Sequence, residues 1–217
     1  MLKIDFHVHT FHSPDSGLSP ERLVARLKEL EFSAVAVTNH NTLDGYEEVA
    51  RIAGDMLVFR GEEIKTRQGE IIALEIKKPV EAGLDVEDTC KLVKKQNGFI
   101  IVPHPFDVLR KGLGIKNLSR ILDYVDAVEG MNSRSYLGRF NVKAMAFARK
   151  NGKPMIAGSD SHFEMEIGHA YTLVDSVRNK RKILDAVKAG KTQVHGSRSG
   201  MKPHMKTFLR KNLRIGT

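Results

Sequence analysis

The chain has 217 residues, of which 41% are hydrophobic and 28% charged, a composition typical of one globular domain with a substantial core. Its net charge of +9 is uneven, because residues 178–217 hold twelve Lys and Arg against the single acid Asp185, which leaves −2 for residues 1–177. No apolar run approaches the roughly 18–20 residues of a membrane span, and the single cysteine, Cys90, excludes an intrachain disulfide. With no signal-peptide features at the N-terminus, we expect a reducing, cytoplasmic location.

Short apolar runs alternate with helical patterns along most of the chain. The runs are residues 2–8, 34–38, 56–64, 71–76, 98–103, 127–131 and 154–158. After the first run, "SPERLVARLKELEF" begins with Ser19 as an N-cap and Pro20 at the first helical position. Strands separated by helices predict an α/β fold with a parallel sheet, interrupted here by a hairpin around Gln68 and Gly69. Either a barrel or a doubly wound sheet satisfies this pattern.

Side chains with metal-binding chemistry occur at the ends of most of these runs. In "KIDFHVHTFHSPDS" the alternation predicts that Asp5, His7 and His9 share one face, with the histidines about 7 Å apart and Asp5 orienting His7. The carboxyl ends of parallel strands meet at one edge of the fold. Imidazole and carboxylate together suit Zn²⁺, Mn²⁺ or Fe ions. The later runs lead to the further candidates His40, Glu62, Glu63, His104, Glu129, Asn132, Asp160 and His162.

The order of these motifs resembles that of the PHP (polymerase and histidinol phosphatase) superfamily. The matching stretches are "DFHVHTFHSPDSGLSPERLV", "AVAVTNHNTLDG", "RGEEI", "VPHP", "EGMNSR" and "AGSDSH". The resemblance implies a distorted seven-stranded (β/α)7 TIM-like barrel, which decides between the two architectures, with two or three divalent metal ions (Zn, Mn or Fe) at its mouth. We place the barrel domain at residues 1–195 and a basic C-terminal tail or closing helix at residues 196–217.

The resemblance also assigns the metal ligands. They are His7, His9 and Asp160 for a first ion, Glu63 as a bridge to a second ion held with His104, and Asp15, His40 and His162 for a third. His12 is a competing candidate beside Asp15. Some members of the superfamily add a histidine to the second site, and Asn132 is the substitute that we expect in this chain.

Most characterised members of the superfamily hydrolyse phosphate esters, so the resemblance implies a metal-dependent phosphoesterase. We expect a phosphomonoester substrate, such as a nucleotide, histidinol phosphate or another small metabolite, hydrolysed by metal-activated hydroxide. The candidate catalytic residues are Asp160, His162 and His40. Either histidine would protonate the leaving oxygen. Arg134 would bind the phosphate group and His169 would line the mouth, while residues 105–120 would form a loop above it that determines specificity.

Two other functions are considered. A nuclease or nucleic-acid end-processing phosphodiesterase agrees with the basic C-terminal end of the chain. A non-catalytic RNA-binding barrel is the further alternative, and the almost complete set of metal ligands argues against it.

The C-terminal segment has a helical pattern of its own. Its apolar stripe consists of Met201, Met205, Phe208, Leu209 and Leu213, flanked by Lys and Arg. One interpretation is a closing helix whose stripe packs on the barrel and whose charges face water. The other is a surface for an anionic partner, either nucleic acid or an acidic membrane surface.

Overall fold

A computed structural model describes the backbone of residues 1–213 and the side chains of residues 1–210. The strands in this part of the chain are β1 (Leu2–Val8), β2 (Ala34–His40), β3 (Leu57–Lys65), β4 (Glu70–Leu74), β5 (Phe99–Val102), β6 (Ala127–Asn132), β7 (Met155–Gly158), β8 (Ala170–Val174) and β9 (Thr192–Gly196). The helices are α1 (Pro20–Glu29), α2 (Tyr46–Ile52), α3 (Val86–Lys95), α4 (Gly114–Arg120), α5 (Gly138–Lys150), α6 (Lys180–Lys188) and α7 (Lys202–Leu213).

The strands form one sheet in the order β7-β6-β5-β4-β3-β2-β1-β8-β9. Neighbours within β1–β3 and within β5–β7 are parallel, whereas β4 runs antiparallel to both β3 and β5. The sheet curls until Val8 of β1 forms a parallel bridge with Ser161, which follows β7. The backbone N–H of His9 donates to the carbonyl of Ser161 at 2.9 Å. The result is a nearly closed barrel whose mouth lies at this end.

The expected strand count of seven is wrong, because the described sheet has nine strands. All seven predicted runs are strands, and the predicted hairpin joins β3 to β4. The additional strands β8 and β9 pair antiparallel with β1 and with each other. Their sequences, AYTLV and TQVHG, contain no long apolar run, since β8 alternates in burial and β9 has no fully buried residue. β9 ends at Gly196, and the domain boundary at residue 195 stays a prediction.

An apolar core fills the barrel below its mouth. Phe6 and Phe59 are fully buried with ring centroids 5.9 Å apart, and apolar side chains from all of β1 to β8 belong to the same cluster. Ile183 and Val187 of α6 close the cluster at the other end of the barrel. Each buried side chain of this size stabilises the fold by about 1.5–3 kcal/mol. This core supports the polar groups at the mouth.

The outer helices cover the other face of the sheet. α1 begins as predicted, with the Ser19 side chain accepting the backbone N–H of Arg22 at 3.4 Å and Pro20 at its first position. Its buried residues Leu23 and Leu27 belong to the cluster that covers β1 and β2. Among the described residues, no helix has both the length and the apolar character that crossing a membrane requires.

Glu62 is a buried carboxyl group on β3 that faces away from Glu63. One oxygen accepts the backbone N–H of Val80 at 3.0 Å, and the other has no hydrogen-bond partner among the described residues. Burial raises the pKa of Glu62 to about 7. Because the unfolded chain releases this proton at a pKa of about 4.3, the native state binds more protons between these values. Stability should therefore fall as the pH rises from about 4 to about 7.

We expect Glu62→Gln to raise the free energy of unfolding at pH 8 by up to about 3 kcal/mol and to change it little at pH 4. The amide stays neutral at both pH values and still accepts the Val80 N–H, whereas the wild-type carboxyl group ionises at the higher pH. Urea titrations of both proteins at the two pH values measure the difference. An equal effect at both would show that Glu62 acts through packing and not through its titration.

Candidate metal centre

Two histidines, His7 of β1 and His9 directly after it, point into the mouth of the barrel. β1 carries a bulge, because it advances by three residues after Asp5 where β2 advances by two after Val35. Asp5, which is paired with Val35, lies before the bulge. His7 and His9 lie within or after it, and their Nε2 atoms are 3.0 Å apart at the mouth. The shared face predicted from strand alternation therefore holds for the two histidines and fails for Asp5.

Glu63 lies at the centre of the cluster, near the mouth end of β3. Its Oε2 atom is 3.5 Å from Nε2 of His7 and 3.2 Å from Nε2 of His9. The same oxygen is 3.0 Å from Nδ1 of His40. Its Oε1 atom is 3.1 Å from Nε2 of His104. The two oxygens thus face different histidines, which is the arrangement that a carboxylate bridging two ions requires.

Sharp backbone turns place two further side chains at the mouth. His104 follows β5 with a φ of 27° and Asp160 follows β7 with a φ of 56°, a region that residues other than glycine adopt rarely. The backbone N–H of Asp160 donates to the carbonyl of His7 at 2.7 Å, which holds its turn in place. Oδ1 of Asp160 lies 3.6 Å and 3.5 Å from the Nε2 atoms of His7 and His9. The residues predicted for the first ion therefore lie together.

The residues predicted for a third ion also lie together. Oδ1 of Asp15 is 3.4 Å from Nε2 of His162 and 3.6 Å from Nε2 of His40. His12, the alternative to Asp15, pairs instead with Glu48 at 2.9 Å. The described geometry therefore favours Asp15 at this position.

The electrostatic surroundings of His40 and His162 differ. Burial and the neighbouring Arg134 lower the pKa of His162 to about 4, which leaves its ring neutral at pH 7. Burial by itself would also lower the pKa of His40, but Glu63 and Asp15 outweigh it and raise the pKa to about 10. The carboxylates thus strongly favour positive charge at this part of the cluster.

Glu129 orients the cluster from one side. Its Oε1 atom is 3.0 Å from Nδ1 of His7, and its Oε2 atom accepts the backbone N–H of His104 at 2.7 Å. The sequence suggested Asp5 for the role of orienting His7. Asp5 instead accepts the backbone N–H groups of His7 at 3.2 Å and of Ser159 at 3.0 Å. Glu129 therefore aims the His7 ring, and Asp5 holds the backbone of β1 against the chain after β7.

Glu70 is a candidate ligand that the sequence did not single out. Its Oε2 atom is 3.9 Å from Nε2 of His104. Glu63, Glu70 and His104 each bring one possible ligand atom within 4.8 Å of the others. Burial and the neighbouring Glu63 raise the pKa of Glu70, as expected where two carboxylates share one site. A cation bound between them would relieve their repulsion.

Asn132 makes contacts that hold other groups in place. Its amide nitrogen donates to Glu129 and to Asp160, in both cases at 2.9 Å. Its carbonyl oxygen accepts from Nη1 of Arg110 at 3.1 Å and from the backbone N–H of Arg134 at 2.8 Å. Asn132 is thus part of the hydrogen-bonded frame of the cluster, and its role as a metal ligand stays a prediction.

The residues at the mouth fit divalent cations. Two ligands of one tetrahedral Zn²⁺ lie about 3.3 Å apart, close to the separations of 3.0–3.6 Å between the imidazole and carboxylate atoms around His7 and His9. Both histidines, Glu63 and Asp160 are fully buried. Although imidazole nitrogens lie 3.0–3.5 Å away, Oε2 of Glu63 and Oδ1 of Asp160 accept no hydrogen bond of suitable geometry in the described part of the chain. Buried carboxylate oxygens in this situation are costly unless a cation compensates them.

A cavity of about 290 Å³ opens beside the cluster. Four of the residues that line it are candidate metal ligands, namely Asp15, His40, Glu70 and His162. Three others are basic side chains, namely Arg110, Lys111 and Arg134. Arg134, the residue predicted to bind phosphate, is almost fully buried, and its Nε lies 3.0 Å from Oε1 of Glu166. Arg110 forms an ion pair with Asp160. The cavity therefore offers positive charge next to the possible metal sites.

The structure does not bring His169 into the lining of this cavity. Its Nδ1 lies 3.5 Å from Oγ of Ser197, at the end of β9. Arg110, in contrast, was missed by the analysis of strand ends because it lies in the short 3-10 turn Val108–Arg110. The one signal for it was its place within residues 105–120, the segment predicted to lie above the mouth.

Comparison of the sequence with known proteins identifies a matching family model and a related archaeal protein. A family model described as PHP-associated matches residues 138–192. An uncharacterized protein of Methanocaldococcus jannaschii, MJ0417, is 33% identical over 174 residues, which cover 78% of this chain and 69% of that protein.

Solved structures share the fold. A two-domain protein of Bacteroides vulgatus that contains a predicted PHP-like metal-dependent phosphoesterase matches with a TM-score of 0.78 and 20% identity, over 90% of this chain and 65% of that chain. A lesion-specific endonuclease of Pyrococcus furiosus matches with a TM-score of 0.62 and 16% identity, over 89% of this chain and 57% of that chain. This chain therefore spans less than two thirds of the length of either solved protein.

Proposed function

The chain belongs to the PHP family of metal-dependent phosphoesterases, and from this premise we propose that it hydrolyses small phosphomonoesters at the mouth of its barrel. The observation that carries the proposal is the lining of the cavity, where candidate metal ligands lie beside Arg110, Lys111 and Arg134. The oxygens of a phosphate group are bound well both by divalent cations and by guanidinium groups. A small cavity that offers both suits a phosphate ester.

The chain supplies ligands for two or three divalent cations, which we propose to be Zn, Mn or Fe. When bound, such cations lower the pKa of a coordinated water towards neutrality and make hydroxide available. The proposed ligand groups are His7, His9, Glu63 and Asp160; Glu63, Glu70 and His104; and Asp15, His40 and His162. Glu63 belongs to two of these groups, so it would tie the binding of one cation to that of the next.

The remaining chemistry falls to the side chains of the cavity. Nη2 of Arg134 donates to Oγ1 of Thr207 at 2.6 Å, and its Nε faces Glu166. These contacts hold the guanidinium in place before a phosphate arrives, which reduces the entropy lost on binding. Arg110 lies beside Asp160 and would contact the phosphate from the cluster side. Of the two histidines expected to protonate the leaving oxygen, both in the cavity lining, His40 is the better proton donor when it holds no cation, because its pKa is raised to about 10 whereas that of His162 is lowered to about 4.

α7 narrows the mouth and favours a small substrate. The ring of His204 stacks on Tyr136 with centroids 4.1 Å apart, and Thr207 accepts from Arg134. The volume of about 290 Å³ that is left lies at the lower end of the range for small-molecule sites, roughly 300–1,000 Å³. A nucleic-acid duplex would reach the cluster only after displacement of α7. This is the reason to place a phosphomonoester before a polynucleotide.

Hydrolysis assays of protein supplied with Mn²⁺ or Zn²⁺ test the proposal. The substrates are p-nitrophenyl phosphate, bis(p-nitrophenyl) phosphate, mononucleotides, histidinol phosphate, and single- and double-stranded oligonucleotides. We expect phosphomonoesters to be hydrolysed faster than diesters and with little dependence on salt. If the metal-loaded protein releases phosphate from none of the monoesters, the proposed substrate class is wrong.

Nucleic-acid processing is the second candidate function. The structural relative from Pyrococcus furiosus is a lesion-specific endonuclease, and α7, which contacts the mouth through His204 and Thr207, carries Lys202, Lys206 and Arg210. Activity on oligonucleotides alone, with an affinity that falls steeply as salt rises, would favour this candidate. Metal-free protein that binds RNA tightly and hydrolyses nothing would instead support a non-catalytic RNA-binding barrel.

Glu70→Gln is expected to lower the metal content by about one ion per chain, because the second group then keeps only Glu63 and His104. Elemental analysis and calorimetric titration of metal-free protein with Mn²⁺ measure the stoichiometry directly. Glu48→Gln is the matched control, since Glu48 lies on α2 and pairs with His12 outside the three groups. If the stoichiometry of Glu70→Gln is unchanged, Glu70 is not a ligand, and Asn132 remains the candidate for the second site.

A further inference from the structure

α7 lies across the mouth with a polar side inward. His204 and Thr207 make the contacts with Tyr136 and Arg134. Nζ of Lys206 lies 5.5 Å from the ring centroid of Phe163, at one edge of the helix. The helix is thus attached to the barrel mainly through polar groups.

The apolar stripe of α7 faces outward. The exposed fractions are 58% for Met201, 62% for Met205, 66% for Phe208 and 43% for Leu209. The closing helix expected from the sequence would bury this stripe against the barrel, and for the described residues that interpretation is wrong. Leu213, the last member of the predicted stripe, lies outside the described side chains. Large apolar side chains grouped in this way on a surface indicate an interaction site.

A second segment extends the apolar surface across the mouth. Val108 and Leu109, in the turn after β5, are 75% and 64% exposed. Leu109 and Phe208 line the same cavity, which joins the turn to α7 at the cavity entrance. We call this surface the mouth patch, and it consists of Val108, Leu109, Met201, Met205, Phe208 and Leu209.

Positive charge accompanies the mouth patch in both segments. Residues 202–213 contain Lys202, Lys206, Arg210 and Lys211 and no acidic residue. In the turn, the exposed Lys111 follows the apolar pair Val108 and Leu109, whereas the Arg110 side chain turns into the cavity towards Asp160. The body of the chain, residues 1–177, has a charge of only −2. α7 and the turn after β5 therefore carry basic side chains beside the exposed apolar ones, while seven further Lys and Arg of residues 178–200 lie on or around α6 and β9.

We propose that the mouth patch docks on a membrane surface rich in acidic phospholipids. A bilayer interface accepts apolar side chains at the boundary of headgroups and acyl chains, while its anionic headgroups attract Lys and Arg. A second copy of the chain would bring the same positive charges against each other. A nucleic acid would pair with the charges but would leave the four exposed apolar side chains of α7 without a role. This inference does not depend on the proposed catalytic activity.

Flotation with lipid vesicles tests the apolar contribution. The full chain is mixed with vesicles of phosphatidylcholine alone, or of phosphatidylcholine with 30% phosphatidylglycerol, with no substrate or added metal. We expect binding to the acidic vesicles only, and a loss of about tenfold in the partition coefficient for Met205→Gln/Leu209→Gln. Val177→Gln is the matched control, because Val177 is 67% exposed beyond β8, away from the mouth patch. Circular dichroism confirms that each variant is folded.

A second pair of variants separates docking from general attraction of a basic protein. Lys202→Gln/Lys206→Gln should weaken binding to the acidic vesicles about tenfold, whereas Lys77→Gln/Lys78→Gln, remote from α7, should change it less than about threefold. Equal effects of the two lysine pairs, or equal binding to both kinds of vesicle, would overturn the proposal. The proposal would also be overturned if the protein did not bind vesicles but bound a DNA or RNA oligonucleotide tightly, and if the Met205→Gln/Leu209→Gln variant bound that oligonucleotide equally well. A concentration-dependent dimer lost in the same variant, without vesicle binding, would assign the patch to a second copy.

Discussion

Glu63→Gln is expected to remove most of the bound metal and to lower kcat/KM for a phosphomonoester at least about a thousandfold. Glu63 faces His7, His9 and His40 with one oxygen and His104 with the other. An amide keeps the shape of this side chain but loses the negative charge and one of the two acceptor oxygens. Elemental analysis of the purified protein and steady-state hydrolysis of p-nitrophenyl phosphate measure both effects.

Glu62→Gln is the control for this experiment. Glu62 is the preceding residue on β3, equally buried, and it faces Val80 on the other side of the sheet. The same substitution there should leave the metal content and the rate nearly unchanged while it stabilises the protein at pH 8. Full metal content and activity in Glu63→Gln would show that Glu63 is not a ligand of the catalytic ions, and wild-type protein that binds no metal would show that the cluster is held by ionic contacts within the chain.

Arg110→Ala is expected to lower kcat/KM about a hundredfold without loss of metal. The guanidinium lies in the cavity, where it contacts Asn132 and Asp160. A phosphate bound at the cluster would replace part of these contacts with charge-assisted hydrogen bonds to Arg110. The inhibition constant of inorganic phosphate should rise in parallel, because the product offers the same oxygens.

The control is Arg139→Ala, which removes an exposed arginine of α5 that contacts the Phe140 ring. It should change neither kcat/KM nor inhibition by phosphate. If Arg110→Ala retains kcat/KM within about twofold, and phosphate inhibits it as strongly as wild type, Arg110 serves only to hold its turn against Asp160.

The strand ends that carry candidate ligands could be predicted because the sequence pattern that marks them spans only a few neighbouring residues. An apolar run followed by His, Asp or Glu indicates a strand whose last residues reach the mouth, and parallel strands bring these residues to the same edge. His104 and Asp160 follow β5 and β7 in this way, and the structure places both in the cluster that contains Glu63, His7 and His9. The similarity of these motifs to those of a known family completes that prediction.

Glu70 escaped the same reasoning for a physical reason. β4 runs antiparallel to its neighbours, so its first residue, and not its last, lies at the mouth. A search for chemistry after each strand examines the wrong end of such a strand. The bulge of β1 has a similar effect on Asp5, because strict alternation assigns it to the face of His7 and the extra residue moves it away.

The sequence by itself determined the seven main strands and the hairpin, since each depends on residues close together in the chain, and the order of its motifs indicated the family and the candidate histidine and carboxylate ligands. The tertiary structure decided what depends on contacts between distant segments. It added β8 and β9, brought Arg110 to Asp160, and turned the polar side of α7 towards Arg134. An amphipathic pattern states that a helix has two sides, but which side faces the protein depends on the partner, and here the mouth of the barrel presents polar groups.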